Sequence, residues 1–154
     1  MLSDVDEEIW DIDWFGFDAR GHVAHFASGG RGFLPTSVKA SLTIGSMPSL
    51  EILHEMPVIG SYATSGSVPN GWKFRSETDL QQFFIVWGES AIRGLFGYDC
   101  LMLPHRPEGY FRVTIPSNPI TVRDLPESLR PRVALGQFNG LFDNSPRVDV
   151  DAIR

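Results

Sequence analysis

A strand–turn–strand pattern near the N-terminus constrains the fold of this chain more than any other feature of its sequence. Residues 13–18 (DWFGFD) and 22–27 (HVAHFA) are rich in aromatic and aliphatic side chains, as strands usually are. Between them, Asp18 and Gly21 occupy the first and fourth positions of a tetrapeptide that is typical of a type I turn. The pattern predicts a β-hairpin, so the fold must contain an antiparallel pair of strands.

Helical patterns occupy the middle of the chain. After Pro35, residues 36–44 are predicted to form a short helix, and residues 48–56 are predicted to form a second. Residues 60–71 are rich in Ser, Gly and Pro and are predicted to be a loop. The longest helix is predicted to begin at Ser76, which has capping-box spacing with Asp79, and to end near residue 94.

The strand signals fall at the two ends of the chain. Beyond the hairpin, strands are predicted at residues 95–98, 110–115 and 120–122. Regular alternation of strands and helices is missing, so the sequence predicts an α+β fold: an antiparallel sheet with helices packed on one face. The length of 154 residues indicates a single domain over residues 1–154, with residues 1–9 as a solvated acidic lead-in.

Cysteine usage and hydropathy indicate the compartment. Cys100 is the only cysteine, so an intramolecular disulfide is impossible, and its apolar neighbours predict a buried thiol rather than a nucleophile. The acidic first residues lack the basic and apolar regions of a signal peptide, and no apolar run is long enough to span a membrane. These features predict a cytoplasmic protein without a membrane partner.

The negative charge of the chain is concentrated at its start. Six acidic residues and no basic residue occur in the first thirteen positions, which accounts for the formal net charge of −6. Such a cluster attracts a basic protein over long range, although solvation of the segment explains it equally well. The chain shows no basic stripe, because Arg123 and Arg130 are interleaved with Asp124 and Glu127, and nucleic acid is therefore not a predicted partner.

The sequence shows no catalytic or metal-binding motif. His22 and His25 are three apart, a spacing that points them to opposite faces of a strand, and one exposed and one half-buried histidine is the simplest expectation. The glycines of residues 29–32 (GGRG) lack the lysine and hydroxyl residue of a phosphate-binding loop. No nucleophile elbow accompanies the serines, and we predict no metal and no cofactor.

Several segments together resemble a known family. Residues 11–18 (DIDWFGFD), 21–30 (GHVAHFASGG) and 34–38 (LPTSV) are similar to the start of a family of small uncharacterised bacterial proteins, and residues 96–99, 110–113 and 124–126 continue the likeness. Those proteins are similar to the immunity-type proteins encoded beside secreted bacterial toxins. The resemblance implies protection by direct binding of a toxin, and it brings no catalytic residues with it.

The leading hypothesis is therefore a non-enzymatic protein-binding module, of the immunity type, whose partner is a basic protein such as a toxin. Candidate partner-binding residues are six charged groups and one tryptophan: Asp6, Glu7, Glu8, Asp11, Asp13, Arg31 and Trp72. Trp10 and Trp14 are further candidate anchors, although core packing is the expected place of Trp14.

Two alternatives stay open. A small enzyme or ligand-binding domain would need a pocket whose acid–base groups come from Asp13, His25 or Glu89, which only the fold could bring together. A structural, self-associating protein would instead form a homodimer through an apolar two-fold interface.

Overall fold

The computed structural model describes residues 10–29, 34–42, 50–66, 74–100, 109–133 and 135–154. These residues form one mixed sheet, curled into a half-barrel, with three α-helices. The strands are β1 (Asp13–Phe17), β2 (Val23–Ala27), β3 (Tyr62–Thr64), β4 (Phe96–Asp99), β5 (Gly109–Pro116) and β6 (Arg147–Asp149). The helices are α1 (Thr36–Ser41), α2 (Glu77–Ala91) and α3 (Arg130–Val133).

The predicted hairpin is confirmed. β1 and β2 pair antiparallel, with Trp14 opposite Phe26 and Phe15 opposite His25. In the turn, the amide of Gly21 donates to the carbonyl of Asp18 at 2.8 Å, and Gly21 has the positive φ of 80° that glycine adopts without strain. The side chain of Asp18 fixes the turn further by accepting hydrogen bonds from the amides of Arg20 and His22.

The fold is α+β as predicted, but the expectation of a purely antiparallel sheet is wrong. The strand order is β1-β2-β4-β5-β3, with β6 also paired to β5, and β2 runs parallel to β4. The physical reason lies in the connection between these two strands, which contains α1, β3 and α2. This long crossover carries the chain back to the end of the sheet at which β2 begins, so β4 starts there and runs parallel to β2. Adjacent antiparallel strands need only a short turn.

Two short strands were not predicted. β3 lies within residues 60–71, where the sequence predicted a loop, and its three residues pair with the end of β5. β6 pairs with the beginning of β5. Strands of three residues carry too little alternation to be distinguished from a loop, and only their pairing with β5 defines them.

Most of the predicted helices are present, with changes in type and length. The α2 N-cap is Ser76, whose hydroxyl accepts a hydrogen bond from the amide of Asp79 at 3.1 Å, as predicted. The second predicted helix is a 3-10 helix over Leu50–Glu55. The predicted strand at residues 120–122 is wrong: Thr121 makes one isolated bridge and then caps a 3-10 turn over Val122–Asp124. Further 3-10 turns span Phe142–Asn144 and Val150–Ala152.

Helices cover both faces of the sheet, so the expectation of helices on one face is also wrong. Alternate residues of a strand point to opposite faces. Trp14 and Phe26 stack at 4.0 Å between ring centroids in a core that also contains Val38 of α1. On the opposite face, His25 lies 4.8 Å from Trp87 of α2, measured between ring centroids. The sheet thus separates an aromatic core from a second face that α2 covers.

Within the described ranges, no helix combines the length and the apolarity that a membrane crossing requires.

Candidate functional site

A cleft of about 330 Å³ opens where α2 crosses the ends of β1, β2 and β4. Its lining combines carboxylates, one histidine and two aromatic rings, drawn from segments far apart in the sequence. The residues that the following argument uses are Asp11, Asp13, His25, Asp79, Phe83, Val86, Trp87 and Asp99. A concave site with convergent titratable groups is the usual form of a binding or active site.

Sheet register brings two of these carboxylates onto the same face. Asp13 pairs with Ala27, and Ala27 pairs in turn with Asp99, so the three residues form one row across β1, β2 and β4. Paired residues point to the same side of a sheet, and two strand spacings separate the outer backbones by about 10 Å. The small side chain of Ala27 lies between the two aspartates, so the row leaves space under α2.

His25 lies two residues before Ala27 on the same face and is held at both ring nitrogens. Its Nε2 is 2.8 Å from Oδ1 of Asp13, and its Nδ1 is 2.9 Å from the hydroxyl oxygen of Ser90 in α2. A neutral ring that donates a hydrogen bond from Nε2 to Asp13 can accept one from the Ser90 hydroxyl at Nδ1. The imidazole is therefore fixed in place, and it orients the Asp13 carboxylate toward the cleft.

The order of these three groups differs from that of a nucleophilic triad. In such a triad the serine faces the substrate and the aspartate is buried behind the histidine. Here the side chain of Asp13 is partly exposed, whereas Ser90 is only 1 % exposed and lies beneath α2. The arrangement offers a carboxylate to the cleft and keeps the hydroxyl in the interior.

Asp99 is the most strongly perturbed acid in the cleft. Its Oδ2 accepts a hydrogen bond from Nε1 of Trp87 at 3.2 Å. Burial, together with the nearby charges of Asp11 and Asp13, raises the pKa of Asp99 to about 7 against the opposing effect of the Trp87 hydrogen bond. Asp99 therefore exchanges its proton near neutral pH, the range in which a carboxyl can respond to a bound ligand.

Asp11 completes the acidic side of the cleft. Its Oδ1 accepts a hydrogen bond from the amide of Gly29 at 2.8 Å, which ties the segment before β1 to the segment after β2. Burial raises the pKa of Asp11, and the charge of Asp13 adds to this effect. For both Asp11 and Asp99, burial and neighbouring carboxylates disfavour the charged form.

Aromatic rings form the α2 side of the cleft. Phe83 and Trp87 are one helical turn apart, with ring centroids 6.4 Å from each other. The face of an aromatic ring attracts a cation, most strongly when the cation is removed from water. Carboxylates on one side and aromatic rings on the other make the cleft complementary to an ammonium or guanidinium group.

The described part of the chain contains no group of three or more His, Cys, Asp or Glu side chains arranged to hold a metal ion. The acidic residues of the cleft therefore do not form a ligand set for a metal in this geometry.

Two of the seven predicted partner-binding residues line the cleft, and the other five lie outside the described residues. Asp11 and Asp13 line the cleft. The other five predicted partner-binding residues, Asp6, Glu7, Glu8, Arg31 and Trp72, lie outside the described residues.

The remaining candidates from the sequence divide between core, surface and cleft. Trp14 is buried in the aromatic core, as expected, while Trp10 is 44 % exposed. Glu89 is not part of the cleft, because it is exposed and pairs with Arg93 at 2.8 Å. The expectation of one exposed and one half-buried histidine is wrong, since His25 is buried between Phe15 and Trp87. Cys100 is buried in the core, as predicted.

Two residues that line the cleft, Asp99 and Trp87, were not among the predicted site residues. A signal for Asp99 was present, because an acid that ends the apolar run of residues 95–98 is unusual for a buried strand. Nothing in the sequence showed that its neighbours would be Asp13 and Trp87. Comparisons with protein families, curated proteins and solved structures find no match to this chain.

Proposed function

We propose that this chain is a non-enzymatic protein-binding module whose acidic cleft receives a cationic side chain of a basic partner. The observation that carries the proposal is the juxtaposition of Asp11, Asp13 and Asp99 with the rings of Phe83 and Trp87 in one cleft. The family resemblance supplies the class of partner: a bacterial toxin that the chain neutralises by binding.

Electrostatics favours a cation at this position. Burial and mutual repulsion hold the pKa values of Asp11 and Asp99 above the usual range, and a positive group between them would offset both effects. Binding would therefore release the Asp99 proton near neutral pH. Because the acidic lead-in of residues 1–9 runs directly into Asp11, the long-range field around the cleft also attracts a positive partner.

The rim of the cleft suits a protein better than an isolated small ion. Val86 lines the cleft and is 52 % exposed, and its neighbour Ile85 is also exposed on α2. At protein interfaces a few buried anchors, arginine often among them, are surrounded by contacts that exclude water. The outer side of α2 thus offers the contact area that a single cationic side chain lacks.

A co-expression experiment tests the proposal. The product of the adjacent gene is expressed together with the wild-type chain or with the double variant Asp11→Asn/Asp13→Asn, and growth and binding are measured. We expect the wild type to restore growth, and the double variant to weaken binding by at least about tenfold because the charges facing the cation are gone.

The matched control is Asp149→Asn/Asp151→Asn, which removes the same charge from exposed positions that do not line the cleft. Equal loss in both variants would show that only net charge matters, and a harmless neighbouring gene product would remove the immunity proposal.

A second candidate function is acid–base catalysis. It is favoured by the pKa of Asp99 near 7 beside Asp13, a carboxylate that His25 orients, because two acids with different environments can share the roles of acid and base. The test is turnover of a pooled set of small metabolites followed by mass spectrometry. Turnover that disappears in Asp99→Asn would support this function, whereas its absence in the wild type would contradict it.

A further inference from the structure

A second and larger cleft, of about 570 Å³, lies away from the acidic cleft. One wall is formed by the segment that follows the 3-10 helix Leu50–Glu55 and includes Met56 and Ile59. The other wall contains Leu125 and Pro126 and precedes α3. The volume falls within the usual range of pockets for small molecules, which are mostly apolar with a few fixed polar groups.

The two walls are fastened to the same turn at the end of α2. The amides of Ile59 and Gly60 donate to the carbonyl of Ile92 at 2.9 and 3.2 Å. On the other side, the amide of Ile120 donates to the carbonyl of Gly94 at 3.0 Å. Because both walls share this anchor, the cleft exists before any ligand enters and binding requires little ordering of the backbone.

Two arginines supply the positive charge of the cleft, and each is positioned by backbone carbonyls. Nε of buried Arg93 donates to the carbonyl of Met56 at 3.1 Å, and its Nη1 donates to the carbonyl and carboxylate of Glu89, both at 2.8 Å. Arg130 lies at the mouth, where Nε donates to Leu125 at 3.1 Å and Nη2 donates to Arg123 at 2.9 Å. Carbonyl partners fix the guanidinium of Arg130 without neutralising its charge, whereas the carboxylate of Glu89 offsets part of the charge of Arg93.

One nitrogen of each guanidinium has no partner among the described residues: Nη2 of Arg93 and Nη1 of Arg130. Arg130 also forms no ion pair there. Arg93 and Arg130 both line the cleft, so each offers a ligand a guanidinium nitrogen that has no acceptor among the described residues, and such a donor favours an anion.

Acidic groups also lie at the mouth, and they limit the kind of anion. Asp124 is exposed, and its Oδ2 accepts from the amide and the hydroxyl of Thr121, each at 2.8 Å. Glu127 is exposed beside it. These two carboxylates disfavour a highly charged anion such as a nucleotide, whereas a single carboxylate attached to an apolar body can reach Arg93 past them.

We propose that this cleft binds a small organic acid, with its carboxylate on Nη2 of Arg93 and its apolar body between Ile59 and Leu125. Arg130 closes the mouth and contributes a second hydrogen bond to the same group. This inference is independent of the proposed function, since none of the residues that line the acidic cleft takes part.

The test uses three probes with the same apolar body: 3-phenylpropanoate, 3-phenylpropanol and 3-phenylpropylamine. Binding to the full chain is followed by titration calorimetry and by NMR chemical shifts. We expect saturable binding of the carboxylate, binding weaker by at least about tenfold for the alcohol, and none for the amine. Equal binding of all three probes, or no saturable binding of the carboxylate, overturns the proposal.

Neighbouring positions offer a matched pair of variants. Ile59 lines the cleft and is 40 % exposed, whereas Val58 is 60 % exposed and does not line it. Ile59→Glu places a negative charge in the cleft and should weaken carboxylate binding by at least about tenfold, while Val58→Glu should leave it unchanged. Arg130→Gln, at an exposed position, should weaken binding severalfold. Equal effects of the two glutamate variants would contradict the proposed location.

Discussion

The two faces of the sheet come from the same strands, yet one is closed and apolar and the other is open and polar. On one face, Trp14, Phe26 and Tyr98 stack in a closed aromatic core, with ring centroids of neighbouring pairs 4.0 and 5.1 Å apart. On the other face, residues one position away in the chain place His25 and Asp99 under α2 beside an open cleft. Closely packed aromatic side chains on the first face stabilise the fold. The second face contains polar groups whose burial is unfavourable.

The comparison separates the residues that stabilise the fold from those to which we assign the proposed function. Burial of large aromatic side chains stabilises the domain, and each charge in a buried position reduces that stability. Perturbed acids that persist in a fold commonly mark a functional site. Removing an aromatic ring from the core and removing the buried charge of Asp99 should therefore have effects of opposite sign.

The largest effect should come from the aromatic face. Trp14→Ala removes the ring that stacks on Phe26 and the indole N–H that donates to the hydroxyl of Tyr110 at 3.2 Å. We expect the free energy of unfolding to fall by about 3–5 kcal/mol, as measured by urea denaturation. Trp10→Ala, at the exposed tryptophan, is the control and should change it by less than about 0.5 kcal/mol. Similar losses in both variants would contradict the assignment of the core.

A smaller effect of opposite sign should come from Asp99. Folding raises its pKa to about 7, so the folded protein keeps a proton that the unfolded chain has lost above about pH 4. Stability therefore decreases as the pH rises from about 4 to about 7. Asp99→Asn removes this loss and should stabilise the protein by on the order of 3 kcal/mol at about pH 8, with little effect at about pH 4.

Chemical denaturation of wild type and Asp99→Asn across this pH range checks the prediction. Asp79→Asn, which alters an exposed carboxylate at the rim of the same cleft, is the control and should show no such trend. A constant difference between Asp99→Asn and wild type at all pH values would mean that Asp99 ionises normally in the folded protein.

The smallest effect should come from the hydrogen bond between His25 of β2 and Ser90 of α2. Ser90→Ala leaves Nδ1 of buried His25 without its partner and should destabilise the protein by about 1–3 kcal/mol. Ser41→Ala, which also removes a helical serine hydroxyl but at an exposed position, should change stability by less than about 0.5 kcal/mol. If the two serine variants behave alike, Ser90 does not hold the histidine.

Local signals made the hairpin and α2 predictable. Asp18 and Gly21 specify their turn through their own backbone preferences, and Ser76 caps a helix whose amides follow it in the chain. The parallel pairing of β2 with β4 was not predictable in the same way, because the two strands are separated by almost seventy residues of crossover. For the same reason, β3 and β6 were missed, since both depend on pairing with β5.

The sequence by itself determined the α+β class, the turn of the hairpin, the start of α2 and the concentration of acidic residues before β1. Each of these depends on residues a few positions apart. Only the tertiary structure decided that Asp13, His25, Ser90 and Asp99 would meet, because register across three strands and the packing of α2 bring them together. Their pKa values follow from that burial, so the chemistry of the cleft is a property of the fold rather than of any local motif.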